Sequence, residues 1–303
     1  PAEITVADPP PVADVPVFGF QSEVYLGDTV ATVPDTVHSL HYTSAGVLVR
    51  SNPHDGASDG SGPESLTLVR YDGTTVDLGT VPEGVGPATD PEEPVYVLAE
   101  ARGDGFVAVV RDATTGEAVD EVPLPELPPS HWDVPPLALD GDTLYVGYES
   151  QTAAVDLETG EDRIVPDVGG GIPEVLGGRI VGGTETSISV LDAATGALVR
   201  SFDVGQDSWG ALSPDGRHLA VSTFDEATFG YTVTVYAVDT GESVDLGTPV
   251  GDAGLGWTAA GDALTVSQGT LTTCDPDSGD CTQREVPLPR DAFVRLGGRV
   301  YES

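Results

Sequence analysis

Leu212-Ser213-Pro214-Asp215-Gly216-Arg217-His218-Leu219-Ala220-Val221 reads as strand, tight turn, strand. Pro214 pre-sets φ for a turn, Asp215 can bond its own backbone, and Gly216 can take a positive φ without steric cost. The stretch predicts a β-hairpin. Echoes of its second strand recur at Val47-Leu48-Val49, Val95-Tyr96-Val97, Leu144-Tyr145-Val146, Ile180-Val181, Leu264-Thr265-Val266 and Val300-Tyr301. Their spacing averages about 42 residues, the length of one four-stranded propeller blade.

A second series runs in step with the first. Turns at Asp72-Gly73, Thr115-Gly116, Thr159-Gly160, Thr195-Gly196, Thr240-Gly241 and Ser278-Gly279 each follow a β-rich run and join a third strand to a fourth. Near-verbatim pairs point to duplication: TVDLGT (75–80) with SVDLGT (243–248), EVPLP (121–125) with EVPLP (285–289), LGGRI (176–180) with LGGRV (296–300). The third strands are apolar on both faces in part, as where Val233, Val235 and Ala237 alternate with Thr234, Tyr236 and Val238. A strand covered on both sides by neighbouring sheets needs that pattern. The C-terminal segment 293–301 supplies a first hairpin only, and VFGFQSEVYLGDTVATV (17–33) supplies two strands with no hairpin before them. Joined, they predict a seventh blade that leaves no open end to the array. The expectation is an all-β chain: one seven-bladed β-propeller of four-stranded antiparallel blades over 17–303, closed by N- and C-terminal strands. Residues 1–16, with Pro1, Pro9, Pro10, Pro11, Pro16 and several acids, read as a disordered tail.

LSPDGRHLAV (212–221), with the poorer copy Gly256-Trp257-Thr258-Ala259-Ala260-Gly261-Asp262-Ala263-Leu264, resembles the first hairpin of WD-repeat-like bacterial propellers of the TolB-like and YncE-like kind. In that family a Trp often precedes the turn, as Trp257 does here. The resemblance covers about 37–303. It implies the propeller fold, and a range of roles that includes binding platforms, envelope proteins and a minority of enzymes.

Composition narrows those roles. Fifty acidic residues stand against 12 basic ones, all of them arginine, for a formal net charge of −38. That charge repels phosphate backbones and anionic lipid, which argues against nucleic acid and membrane surfaces as partners. The acids are spread along the whole chain, a pattern that speaks for solubility before partner choice; steering toward a cationic partner is the alternative. No run of 18 apolar residues is present to span a bilayer. The chain has no initiator Met and no signal-peptide core, so it reads as a mature form, and a monomer is expected.

Cys274 and Cys281 flank Asp-Pro-Asp-Ser-Gly-Asp at the third-to-fourth turn of the sixth blade, where they can face each other across a hairpin. A disulfide is the natural reading and two free thiols the alternative; six intervening residues exclude a Cys-x-x-Cys redox motif. A bridge implies an extracytoplasmic protein, secreted or tethered to the envelope as a lipoprotein.

Little else carries chemistry. Gly56-Ala57-Ser58-Asp59-Gly60 matches a nucleophile elbow in letters, but it lies in a Gly/Ser/Asp loop without the strand and helix the elbow requires. His38 and His41, three apart, do not share a strand face. Asp275-Pro276-Asp277-Ser278-Gly279-Asp280 is too short for a calcium loop and is better read as a turn. No metal and no cofactor is expected. Three stretches are long for propeller connections and should rise on one face: 51–65, 124–132 and 223–231. A ligand site is therefore expected at His54, His131, Trp132, Asp207, Trp209, Phe229 and Tyr231, with the aromatics as anchors and the acids selecting a polar or cationic ligand. Packing of the indoles between blades is the competing role. The functional expectation is a non-catalytic platform for a protein, peptide or glycan. A lactonase- or lyase-like enzyme with a metal or His/Asp group at the channel mouth is the alternative.

Overall fold

The computed structural model describes residues 15–54, 62–127, 134–184, 186–206, 208–225, 230–244, 254–290 and 292–298. These form seven four-stranded antiparallel sheets and, among the described residues, no helix. Blade 1 comprises Thr36–Thr43, Gly46–Asn52, Glu64–Val69 and Thr75–Val81, in that order from the centre outward. The first strands of blades 2 to 6 are Ala88–Thr89, Leu137–Asp140, Val175–Leu176, Ser208–Leu212 and Gly256–Trp257, each followed outward by three strands consecutive in sequence.

Blade 7 closes the ring, but not at the point expected. Its innermost strand is Arg295–Leu296, and the remaining three are Val17–Phe20, Glu23–Leu26 and Thr29–Thr32. Segment 17–33 thus supplies three strands where two were expected. Gly19 pairs with Arg295 on one side and Val24 on the other, so the second-strand position assigned to Val300-Tyr301 is held by the N-terminal segment. The turns Phe20-Gln21-Ser22-Glu23 and Leu26-Gly27-Asp28-Thr29 are tight, with Gln21 and Gly27 at positive φ (51° and 59°), which lets a 16-residue stretch fold back twice. Val300 and Tyr301 lie outside the described residues.

The Leu212–Val221 hairpin forms as its residues dictate. The Gly216 amide donates to Ser213 O (2.8 Å), Gly216 has φ 66°, and Asp215 Oδ1 accepts from the Ser213 hydroxyl (2.5 Å) and the Arg217 amide (3.1 Å). Ser213 N to His218 O (2.9 Å) continues the ladder. A side chain at Gly177 of blade 4 would sit 2.3 Å from the Asp215 carbonyl carbon, so these inner turns abut around the channel.

The core is not one mass but seven layers, one between each pair of neighbouring blades. Adjacent residues of a single strand feed different layers. Val47 and Val49 enter the layer against blade 7 and Leu48 the layer against blade 2; Leu219 and Val221 face blade 4 while Ala220 faces blade 6. This explains the two-faced apolar strands, since period-two alternation sends successive side chains to opposite sheet faces. The outermost strands have one covered face only and carry exposed Val30, Val119, Ile164 and Leu198.

Cys274 and Cys281 pair in register across the outer hairpin of blade 6 and are bonded, with Cα atoms 4.1 Å apart. Intact mass after alkylation without reductant should show no uptake, and uptake of two groups would mean free thiols. Because the bridged loop is short, its loss should cost only about 2–3 kcal/mol in the chain-entropy model. One blade should loosen while the ring holds.

Candidate functional site

In each blade the chain alternates direction, so connections from second to third strand and from a fourth strand to the next first strand leave the same face. The three stretches singled out above all join strands of that kind: Asn52 to Glu64, Pro123 to Leu137, and Asp225 to Gly230; the last is not long, because the paired strands run to Asp225 and from Gly230 and leave four residues between them. His54 is exposed on that face beside Asn52, whose Oδ1 accepts its backbone N–H (3.0 Å). Trp209 is half-buried in the first strand of blade 5, paired with Ser222. Tyr231 is placed by its backbone alone, opposite Phe224 in the third strand of blade 5. His131, Trp132, Asp207 and Phe229 lie outside the described residues, as does the Gly56–Gly60 match.

A cavity of about 380 Å³ occupies the channel between the first strands. At the loop face its walls are Val85, Pro87, Val134 and Ile172, from the connections leading into blades 2, 3 and 4; at the other end they are Tyr42, near the end of the first strand of blade 1, and Pro214 and Gly298, in the turns that follow the first strands of blades 5 and 7. Leu40 and Leu137 line the middle. His41 and Arg50 are polar groups of the wall, and Ser39 Oγ and His41 Nε2 hydrogen-bond at 2.8 Å. No short motif announces this site. Its lining comes from ordinary aliphatic and proline residues scattered from position 40 to 298, which only ring closure brings together.

Behind the wall sits a buried polar network that sequence reasoning missed. Arg50 follows Leu48 along one face of the second strand of blade 1, and Glu64 precedes Leu66 and Leu68 on the third, so both point into the layer against blade 2. Arg50 is 2% exposed and Glu64 0%. The Arg50 guanidinium pairs with Glu64 Oε2, while Glu64 Oε1 accepts from His38 Nδ1 (2.7 Å) and Asn52 Nδ2 (2.8 Å). His38 stands at the point where the strand register shifts, between Val37 and Ser39, and from there its ring reaches this acid. Burial by itself would raise the Glu64 pKa; the His38 hydrogen bond, the Arg50 charge and the Asn52 amide outweigh it and hold the carboxyl down to about 2. The available signal was an arginine inside the apolar strand Val47-Leu48-Val49-Arg50, since a cation there requires a buried acid.

The outer turns are accounted for by local bonding. Asp112, Asp156, Asp192 and Asp275 each cap a third-to-fourth turn. Their carboxyls are held below the usual aspartate value by turn hydrogen bonds, led by the Thr114 hydroxyl at Asp112, the Thr159 amide at Asp156, the Thr195 hydroxyl at Asp192 and the Asp277 amide at Asp275. The Asp275–Asp280 stretch is thus a turn, as expected. Among the described residues no three His, Cys, Asp or Glu side chains are placed to share a metal ion.

No protein-family model and no curated protein sequence matches the chain. Among solved structures it is similar to apo AztD from Citrobacter koseri, with TM-score 0.54 and 12% identity over 94% of this chain and 99% of that one. The β-propeller domain of Myceliophteria thermophila Cps50 (Swd1) aligns with TM-score 0.51 and 14% identity over 83% and 86%. TolB from Acinetobacter baumannii aligns with TM-score 0.49 and 13% identity over 96% and 68%. At such identities the likeness to the first two is one of fold. The chain is a seven-bladed β-propeller, the fold that its repeats implied.

Proposed function

We propose that this propeller is a binding platform that takes a protein or peptide segment at the loop-face mouth of its channel, without chemistry of its own. The observation that carries this reading is the cavity. It is concave, mostly aliphatic, has a few polar groups in its wall, and opens on the face that receives the two long connections, Asn52 to Glu64 and Pro123 to Leu137. Aromatics expected on those connections and strands, Trp132, Trp209 and Tyr231, would anchor what lies across the mouth, with His54, His131, Asp207 and Phe229 around them. Glycans are the weaker choice, because sugar hydroxyls need more polar partners than this wall offers. The Cys274–Cys281 bridge supports a place outside the reducing cytoplasm.

The test is an unbiased screen. A random dodecapeptide display library and a glycan array are each presented to the wild type and to Ile172→Trp, which narrows the mouth at a half-buried position. Ligands enriched on the wild type should lose at least tenfold in affinity on the variant. Ligands that hold both proteins equally, or no enrichment in either library, would refute the site.

A further inference from the structure

The channel cavity also carries information about the chemistry of its occupant. We infer that it selects a peptide segment with an aliphatic or proline centre and Lys or Arg on its flanks; this rests on the binding reading above.

Two independent observations lead there. The first concerns the wall. Val85, Pro87, Val134, Leu137 and Ile172 reward an apolar side chain entering from the loop face, and desolvation penalises a polar one that finds no partner. Arg50, the guanidinium in that wall, is neutralised from behind by Glu64, which His38 and Asn52 hold ionised well below neutral pH. The wall therefore presents no uncompensated arginine with which to hold an anion, so a carboxylate or phosphate gains little on entering.

The second concerns the rim. Asp35, Glu83, Asp104, Glu126, Glu149 and Asp167 stand on the described connections of the loop face, against Arg290. Glu83 itself lines the mouth. Together with a net charge of −38, these acids raise the local concentration of cationic ligands and repel acidic ones. Charges on the ligand are then best placed outside the cavity, where acids are exposed, and apolar groups inside it. A segment whose apolar centre is bracketed by basic residues meets both demands with one chain.

Defined probes separate the parts of this inference. Fluorescein-labelled nonapeptide pools are made with three central positions drawn from Pro, Leu, Val and Ile, or from Ser and Gly, and with flanks of Lys, Ser or Glu. Anisotropy titrations use the wild type, Val134→Trp and Ile172→Trp, with circular dichroism confirming that each variant is folded. The Lys-flanked apolar pool should bind at least tenfold more tightly than the Ser/Gly-centred and the Glu-flanked pools. Its advantage over the Glu-flanked pool should shrink several-fold between 20 mM and 300 mM salt, because exposed charges are screened. The preference for an apolar centre should vanish in whichever Trp variant folds, while the flank effect persists, since neither substitution changes charge. Equal binding of apolar and Ser/Gly centres, or of Lys and Glu flanks, overturns the inference. If the nonapeptides fail while a displayed peptide still distinguishes wild type from Ile172→Trp, the binding reading stands and this inference falls; if only a glycan does so, both fall. If an apolar preference survives in a folded Trp variant, the cavity is not the site and both fall.

Discussion

Glu64→Gln should destabilise the propeller by about 3–5 kcal/mol, because it removes the carboxylate charge paired with the Arg50 guanidinium in a layer with almost no solvent contact. The amide can still accept from Asn52, so the loss belongs to the charge. Replacing both partners, Arg50→Met with Glu64→Leu, should recover most of that stability, since an apolar pair of similar size carries no buried charge. Urea unfolding reads both effects as shifts in midpoint. A Glu64→Gln variant within 1 kcal/mol of the wild type would mean that Arg50 finds its compensation elsewhere.

The same pair gives the pH dependence a sign. Glu64 is held at about 2 in the fold against an ordinary value of 4.5, so its contribution is complete above about pH 4.5 and is lost as pH falls through about 2. By linkage the shift corresponds to about 3 kcal/mol. The stability difference between wild type and Glu64→Gln should therefore be constant from neutral pH to about 5 and shrink progressively below that. A difference that grows on acidification would contradict the assignment.

Trp257→Ala should cost about 3–5 kcal/mol as well, through a cavity in the apolar layer between blades 5 and 6, where the indole packs with Ala220, Val235, Leu255 and Ala263. Trp257 is 0% exposed. Its amide donates to Gly297 O (2.9 Å), its carbonyl accepts from the Tyr42 hydroxyl (2.8 Å), and a side chain at Gly298 would sit 2.8 Å from its Cβ. Blade 7 is held at its centre by the two-residue strand Arg295–Leu296, and the Trp257 backbone bonds reach the turn after that strand and the first strand of blade 1. Trp257→Phe should cost much less, because it keeps most of the ring volume and removes an indole N–H that has no hydrogen-bond partner among the described residues. Trp209→Ala, at a half-buried position, should cost no more than about 1 kcal/mol and act on ligand binding instead. Equal losses for the two alanine variants would mean that Trp209 is a packing residue.

Much of this protein was legible before any coordinates. Each blade is a local event: turn residues such as Pro214, Asp215 and Gly216 set their own dihedrals, and strands such as Val47-Leu48-Val49 show by being apolar on successive residues that both their faces are covered. Local interactions repeated at a fixed period are visible in sequence because neither the turn nor the alternation depends on distant partners. That gave the seven blades, the outer turns and the position of the Cys274–Cys281 pair across one of them.

What depended on the whole ring could not be read in that way. The closing blade takes three strands from the N-terminal side because Gln21 and Gly27 allow two tight reversals, and it is pairing with Arg295–Leu296, some 275 residues away in sequence, that seats them. The cavity has no motif because its lining is gathered from blades 1 to 5 and 7, in short runs of ordinary apolar residues. Arg50 and Glu64, 14 positions apart, look like surface charges until the register of blade 1 turns both toward blade 2 and His38, at the register shift, reaches the same carboxylate. Sequence determined the unit that repeats, since its forces are local. Only the tertiary structure decided which charges are buried and what the ring encloses, since burial is a property of neighbours that closure alone supplies.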